Sequence, residues 1–212
     1  MLEFDLSRPR DALDGATVAV LLHGRGSHRG DLQALRPHLP ADWVLLTPQA
    51  PHPGGPWGYG PGWAWYRYLR DDRVEEESLA QSLTAVDALV AELPALVRLR
   101  PGPLVVGGFS QGGTVGLAHA LTRPGAAATL VFSGFLAATP SLGDDLLAVA
   151  RAPVFWGHGT RDPNIPLALA ERGRKRLIAA GVPVEARNYD IGHWVDPAEV
   201  GDAVAFVQGH TG

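Results

Sequence analysis

Three side chains far apart in the chain, Ser110, Asp162 and His193, have the types needed to cut a carboxylic ester together. Ser110 stands in Gly108-Phe109-Ser110-Gln111-Gly112, a G-x-S-x-G pattern that follows an apolar run and precedes a run of small residues. A serine hydroxyl is too weak an acid to attack an ester unaided. An imidazole must take its proton, and a carboxylate must orient that imidazole and stabilise it once charged. The glycines have a steric reason: a nucleophile on a sharp turn needs neighbours that let backbone pack closely. The turn also aims the N–H of Gln111 into the site at a helix N-terminus, where it can stabilise an oxyanion. A second donor is expected from the loop after an early strand, and the N–H of Arg25 in His23-Gly24-Arg25-Gly26 fits.

The elements around these residues are readable from composition and period. Unalternating apolar runs at 17–22, 43–47, 103–107, 127–133 and 153–156 suit strands covered on both faces. Residues 184–189 alternate like a more exposed strand near the sheet edge. Helices are expected at 31–36, 75–99, 111–121, 142–150, 166–180 and 197–208. In the second of these, Leu79, Leu83, Val86, Val90 and Leu93 form one stripe, and Pro94 ends or kinks it. Arg172, Arg174, Lys175 and Arg176 are expected near the solvent side of the 166–180 helix. Strands alternating with helices predict an α/β fold with a mainly parallel sheet, in a single domain over residues 1–212.

In such a sheet each candidate follows a strand, so Ser110, Asp162 and His193 fall on the same carboxyl-end rim. Their order, serine then acid then histidine, is that of the α/β-hydrolase arrangement. Rivals fit less well. His23 and His158 are expected to brace loops by hydrogen bonding, and His28, His38, His52, His119 and His210 to be surface or packing residues. Asp190 and Asp196 lie near His193 in sequence. Asp162-Pro163-Asn164 is also a common turn.

Between Pro48 and Asp72, prolines and glycines crowd together with Trp57, Tyr59, Trp63, Trp65, Tyr66 and Tyr68. This predicts a long loop, and long loops in compact domains are usually functional. Trp63, Trp65 and Tyr66 are candidates for an apolar acyl or aryl pocket, or else for packing the loop onto the body.

The chain has 212 residues, a net charge of −4, 46% apolar residues and no cysteine. Disulfides and thiolate chemistry are therefore excluded. The 18 basic residues form no tract, which gives no support to nucleic-acid binding. No apolar run is long enough to span a bilayer, and the first residues do not read as a signal peptide, so the expected location is the cytoplasm. The glycine turn at 24–26 lacks both G-x-G-x-x-G and a P-loop lysine, which disfavours phosphate cradling.

With these motifs in view, the chain resembles the carboxylesterase/phospholipase family of small α/β hydrolases, relatives of the acyl-protein thioesterases. The matching stretches are Leu21-Leu22-His23-Gly24-Arg25-Gly26, Pro48-Gln49-Ala50-Pro51, Gly108-Phe109-Ser110-Gln111-Gly112-Gly113, His158-Gly159-Thr160-Arg161-Asp162 and Gly192-His193. The resemblance implies a hydrolase without a separate cap domain, acting on a small-molecule ester or thioester through Ser110, Asp162 and His193; a carboxylesterase is the first reading, and an acyl thioesterase or lysophospholipase the alternative. It implies no metal and no cofactor, and leaves the oligomeric state open, a homodimer included. Arg25 stands where acyl-protein thioesterases usually carry an apolar residue. A binding protein on the same scaffold is the reading from another class.

Overall fold

A computed structural model describes residues 1–9, 12–143 and 152–211. The apolar runs become strands because a strand covered on both faces needs apolar residues at every position. In chain order the strands are β1 (Phe4–Ser7), β2 (Val18–Leu22), β3 (Val44–Pro48), β4 (His52–Pro53), β5 (Trp63–Ala64), β6 (Tyr68–Arg70), β7 (Arg73–Val74), β8 (Leu104–Phe109), β9 (Ala128–Phe132), β10 (Val154–Gly159) and β11 (Val184–Tyr189). Seven form the central sheet in the order β1-β3-β2-β8-β9-β10-β11. Every neighbouring pair is parallel except β1 with β3. Strands β2, β3, β9 and β10 are buried along their whole length, and edge strand β11 is half exposed.

Among the described residues five α-helices, α1 (Glu76–Ala91), α2 (Leu93–Val97), α3 (Gln111–Thr122), α4 (Leu167–Ala179) and α5 (Pro197–Thr211), cover the sheet together with a 3-10 helix at Asp31–His38. Alternate side chains of each strand feed two cores. Val20 and Leu22 join Trp65, Leu79, Val86 and Trp156 on one face, while Ala19 and Leu21 join Phe132, Phe155 and Phe206 on the other. The described residues hold no separate cap.

Two expectations are corrected here, for the stretch 48–72 and for Arg174, and one strand left no signal. The helix expected over 75–99 breaks at Glu92, where Pro94, expected to end or kink it, opens the short α2, and Arg98 ends α2 at φ 54°. The stretch 48–72 is not wholly a loop: β4–β5 and β6–β7 are short antiparallel pairs. Edge strand β1 has too little burial to leave a hydrophobic signature. Arg174 turns inward rather than to solvent. It donates to the carbonyl of Trp156 (2.8 Å) and to Asn188 Oδ1 (2.7 Å), tying α4 to β10 and β11. Pro140–Leu142 forms one helical turn, and the rest of the helix expected at 142–150 lies outside the described residues.

The contact that positions the serine is between α3 and the strands under it. A methyl group at Gly112 would lie 1.9 Å from the Leu22 carbonyl oxygen, and one at Gly108 would lie 2.2 Å from the same atom. Neither site can accept a side chain without moving backbone. Gly112→Ala is therefore expected to lower stability by about 1–3 kcal/mol, the usual cost of forcing extra atoms into a packed interior. A fall in the denaturation midpoint at unchanged slope would show it.

Candidate active site

Ser110 lies between the last residue of β8 and the first of α3, at φ 54° and ψ −117°. Few non-glycine residues adopt such a conformation, and it costs roughly 1–3 kcal/mol unless the surroundings enforce it. They do so here: the Ser110 N–H donates to the Phe132 carbonyl (2.8 Å), and the glycines seat α3 directly on β2.

His193 lies on the loop between β11 and α5, with its Nε2 2.9 Å from Ser110 Oγ. Its Nδ1 is 2.6 Å from Asp162 Oδ2. An ionised carboxylate can only accept, so Nδ1 carries the proton and Nε2 is left to accept from the serine hydroxyl. Asp162 Oδ1 accepts from the N–H groups of Asn164 (2.8 Å) and Ile165 (2.9 Å). The Asp-Pro-Asn turn and the acid facing His193 are thus one structure, the turn holding the carboxylate in place. Burial pushes the Asp162 carboxyl up, but the bonds from His193, Ile165 and Asn164 outweigh it and hold the group below the ordinary carboxylate range.

Two further histidines brace the loops. His23 donates from Nδ1 to the Gly24 carbonyl (2.7 Å) and accepts at Nε2 from the Ala50 N–H (3.1 Å). Burial lowers its pKa to about 4, so the ring stays neutral and keeps both bonds at pH 7. His158 Nε2 donates to the Ile165 carbonyl (2.9 Å), and burial likewise depresses its pKa. Gly24 and Arg25, at the end of β2, line the same cavity as Ser110 and Gln111. The Gln111 N–H opens α3 and has no carbonyl acceptor within its own helix.

That cavity has a volume of 610 Å³, and Tyr66, Tyr68, Phe109, Phe135, Ile165 and Leu169 contribute to its walls. Of the three aromatic candidates, only Tyr66 is among its lining residues. Trp65 is fully buried behind the wall: its indole N–H needs a partner and finds the His23 carbonyl (2.9 Å), which draws the ring inward. Trp63 stays partly exposed and acts through its backbone, exchanging hydrogen bonds with Gly26 and Ser27. Sequence reasoning assigned only the backbone of Gln111 a role. Its buried side chain accepts from the Trp65 N–H (2.7 Å) and donates to the Tyr66 carbonyl (2.7 Å), clamping the aromatic segment to α3. The polar side chain directly after the serine was the available signal. Among the described residues, no cluster of His, Cys, Asp or Glu could hold a metal ion.

A serine on an elbow, backed by imidazole and carboxylate on the rim of a mostly parallel sheet, defines the α/β-hydrolase class of protein. The chain belongs to the phospholipase/carboxylesterase family, whose model matches residues 10–211. It is 31% identical over 180 residues to acyl-protein thioesterase 1 of Cryptococcus neoformans var. neoformans serotype D, covering 77% of this chain and 73% of the relative. It is 32% identical over 129 residues to a probable inactive carboxylesterase of Oryza sativa subsp. japonica, spanning 59% of this chain and about half (52%) of that protein. Its fold matches the crystal structure of Zea mays acyl-protein thioesterase 2 along all of both chains, with a TM-score of 0.79 at 23% identity.

Behind the site lies a carboxyl that sequence reasoning did not single out. Glu199 on α5 is fully buried against β10, so close that a methyl group at Gly157 would fall 2.0 Å from its Oε1. Burial raises its pKa from 4.5 to about 8, with the Arg174 charge pulling the other way. The folded pKa lies above the unfolded one, so the contribution is complete below pH 4.5 and is lost as pH rises through about 8. Glu199→Gln removes this titration. Relative to the wild type, the variant should gain stability between pH 5 and pH 8, read from paired melting curves in which other groups cancel.

Proposed function

We propose that this chain is a serine hydrolase that cleaves carboxylic esters through an acyl-enzyme, in a single α/β-hydrolase domain. The observation that carries the reading is the pair of hydrogen bonds from Ser110 Oγ to His193 Nε2 (2.9 Å) and from His193 Nδ1 to Asp162 Oδ2 (2.6 Å), opening into one cavity. His193 takes the proton of Ser110 as Oγ attacks the carbonyl carbon, and Asp162 stabilises the imidazolium that forms. The N–H groups of Arg25 and Gln111 receive the charge of the tetrahedral oxygen. His193 then returns the proton to the leaving alcohol. Water, deprotonated by the same imidazole, frees the acid from Ser110. Every proton moves between groups of the chain, substrate and water, so the cycle calls for no metal or cofactor.

Tyr66, Phe109, Phe135, Ile165 and Leu169 give the acyl or aryl group an apolar wall. Trp65 supports that wall from behind through Gln111, and Trp63 holds the turn that bears Arg25. A thioester substrate is the second reading, favoured by the name of the Cryptococcus relative. It uses the same steps with a thiolate leaving group, and paired oxygen and sulfur esters of one acid separate the two. The likeness to a rice protein named as inactive favours neither substrate. Labelling of Ser110 by a fluorophosphonate, lost on denaturation, tests whether this chain keeps its chemistry.

Ser110→Ala is expected to reduce hydrolysis of p-nitrophenyl butyrate by about 10⁴-fold or more. Asp162→Asn, which leaves the imidazole with the wrong proton, should cost about 10⁴-fold in kcat. Rates near wild type in the serine variant would refute the assignment.

A further inference from the structure

We infer that Arg25 makes the Ser110 cavity a site for esters that carry a carboxylate close to the scissile bond, an inference that rests on the ester-hydrolase reading above. The turn bearing Arg25 is fixed just after it by a pair of backbone bonds. The Gly26 N–H donates to the Trp63 carbonyl and the Trp63 N–H to the Ser27 carbonyl, both at 2.8 Å. The guanidinium lies over the Tyr59 ring, 4.8 Å from its centroid. That ring is itself anchored, since the Tyr59 hydroxyl accepts from the Tyr68 N–H (2.8 Å). The exposed cation thus rests against one anchored ring, a contact worth about 0.5–1 kcal/mol.

Its charge has no internal consumer. Among the described residues no carboxylate pairs with Arg25, whereas Arg29, Arg100, Arg123, Arg161 and Arg187 each have an acidic partner within 3.0 Å. The second arginine on the cavity rim, Arg172, faces Asp72 at 3.7 Å. Two acids also line the cavity. Asp31 Oδ2 accepts the Ser27 hydroxyl (2.8 Å), and Asp71 is exposed on the turn between β6 and β7. Neither acid pairs with the Arg25 guanidinium. The field of Arg25 also reaches the cavity floor: burial raises the Tyr66 phenol, and the Arg25 charge acts against that rise.

Position sets the length of the ligand. In the proposed mechanism the Arg25 N–H holds the carbonyl oxygen, and an extended arginine side chain carries its guanidinium roughly 6 Å from its own Cα. A carboxylate separated from the scissile carbonyl by roughly two to four methylenes can occupy both. The planar fork then binds it with two parallel hydrogen bonds. Phe135, Ile165 and Leu169 are left for the apolar remainder. The carboxylate can belong to the acyl half or to the alcohol half of the ester.

Matched pairs of substrates distinguish those halves: p-nitrophenyl hemiglutarate against p-nitrophenyl butyrate, and 4-carboxyphenyl butyrate against phenyl butyrate. For at least one pair the wild type is expected to prefer the anionic member in kcat/KM. Arg25→Met should lower the anionic-to-neutral ratio about tenfold, a loss between that of an exposed ion pair and that of a charge-assisted fork. The ratio is read whatever the variant does to the absolute rate. In the wild type it should also fall at about 1 M salt, where charges are screened beyond about 3 Å. Should Arg25→Met fail to fold, Arg25→Gln gives the same reading. The pair that responds assigns the carboxylate to the acyl or the alcohol half. Ratios that change less than about twofold in both pairs overturn the anion subsite. If the wild type cleaves none of the four esters, the ester-hydrolase reading itself fails, a result distinct from cleavage of all four without preference.

Discussion

The arrangement depends on how closely one helix can approach one strand. Gly108 and Gly112 bring the start of α3 against the Leu22 carbonyl, at a distance where any Cβ would collide. That approach forces the chain to reverse within one residue, and the residue at the reversal is Ser110, held at positive φ. Its strain is stored where the packing of β2, β8 and α3 can sustain it. The same contact sets the Gly24–Arg25 turn and the first turn of α3 side by side. Ser110 and the backbone of Arg25 and Gln111 therefore share one packing constraint.

Parallel topology supplies the remaining groups. With β8, β9, β10 and β11 running in one direction, the loops after β8, β10 and β11 emerge on one rim. Residues 83 positions apart, Ser110 and His193, come within hydrogen-bond distance without a long excursion of either loop. Buried groups then lock each loop to its strand: His23 after β2, His158 after β10, and Glu199 pressed on Gly157 beneath the acid turn. Burial disfavours the charged form of all three, which keeps them as neutral hydrogen-bonding or packing groups near pH 7.

What was legible in the sequence follows from this physics. Strands buried on both faces announce themselves by unbroken apolar runs, and the elbow by glycines around one serine. Ser110 and Asp162 could be placed on one rim because each follows such a run, and His193 because it follows the alternating strand at 184–189. The illegible parts have weaker local signatures. Arg174 reads as a surface charge on an amphipathic helix, and only the finished packing offers it the carbonyls of Trp156 and Arg187. Strand β1 is short and half exposed, and its antiparallel pairing with β3 is a long-range event. Trp65 reads equally as pocket wall or as packing. Which it becomes depends on the indole N–H finding the His23 carbonyl, a partner 42 residues away.

Relatives of this chain bear the names of thioesterase, carboxylesterase and inactive carboxylesterase. In this chain the segment from β4 to β7 shapes the cavity. Its backbone at Trp63 grips the Arg25 turn, its Tyr59 carries the guanidinium, and its Tyr66 forms part of the cavity wall. One segment thus touches both the polar and the apolar side of the cavity. Gln111, next to the serine, bonds that segment at Trp65 and Tyr66, so the residue that follows the serine also fixes the cavity wall. The segment and the first turn of α3 are therefore coupled through a single side chain, and a change in the segment reaches the neighbour of Ser110 through Gln111.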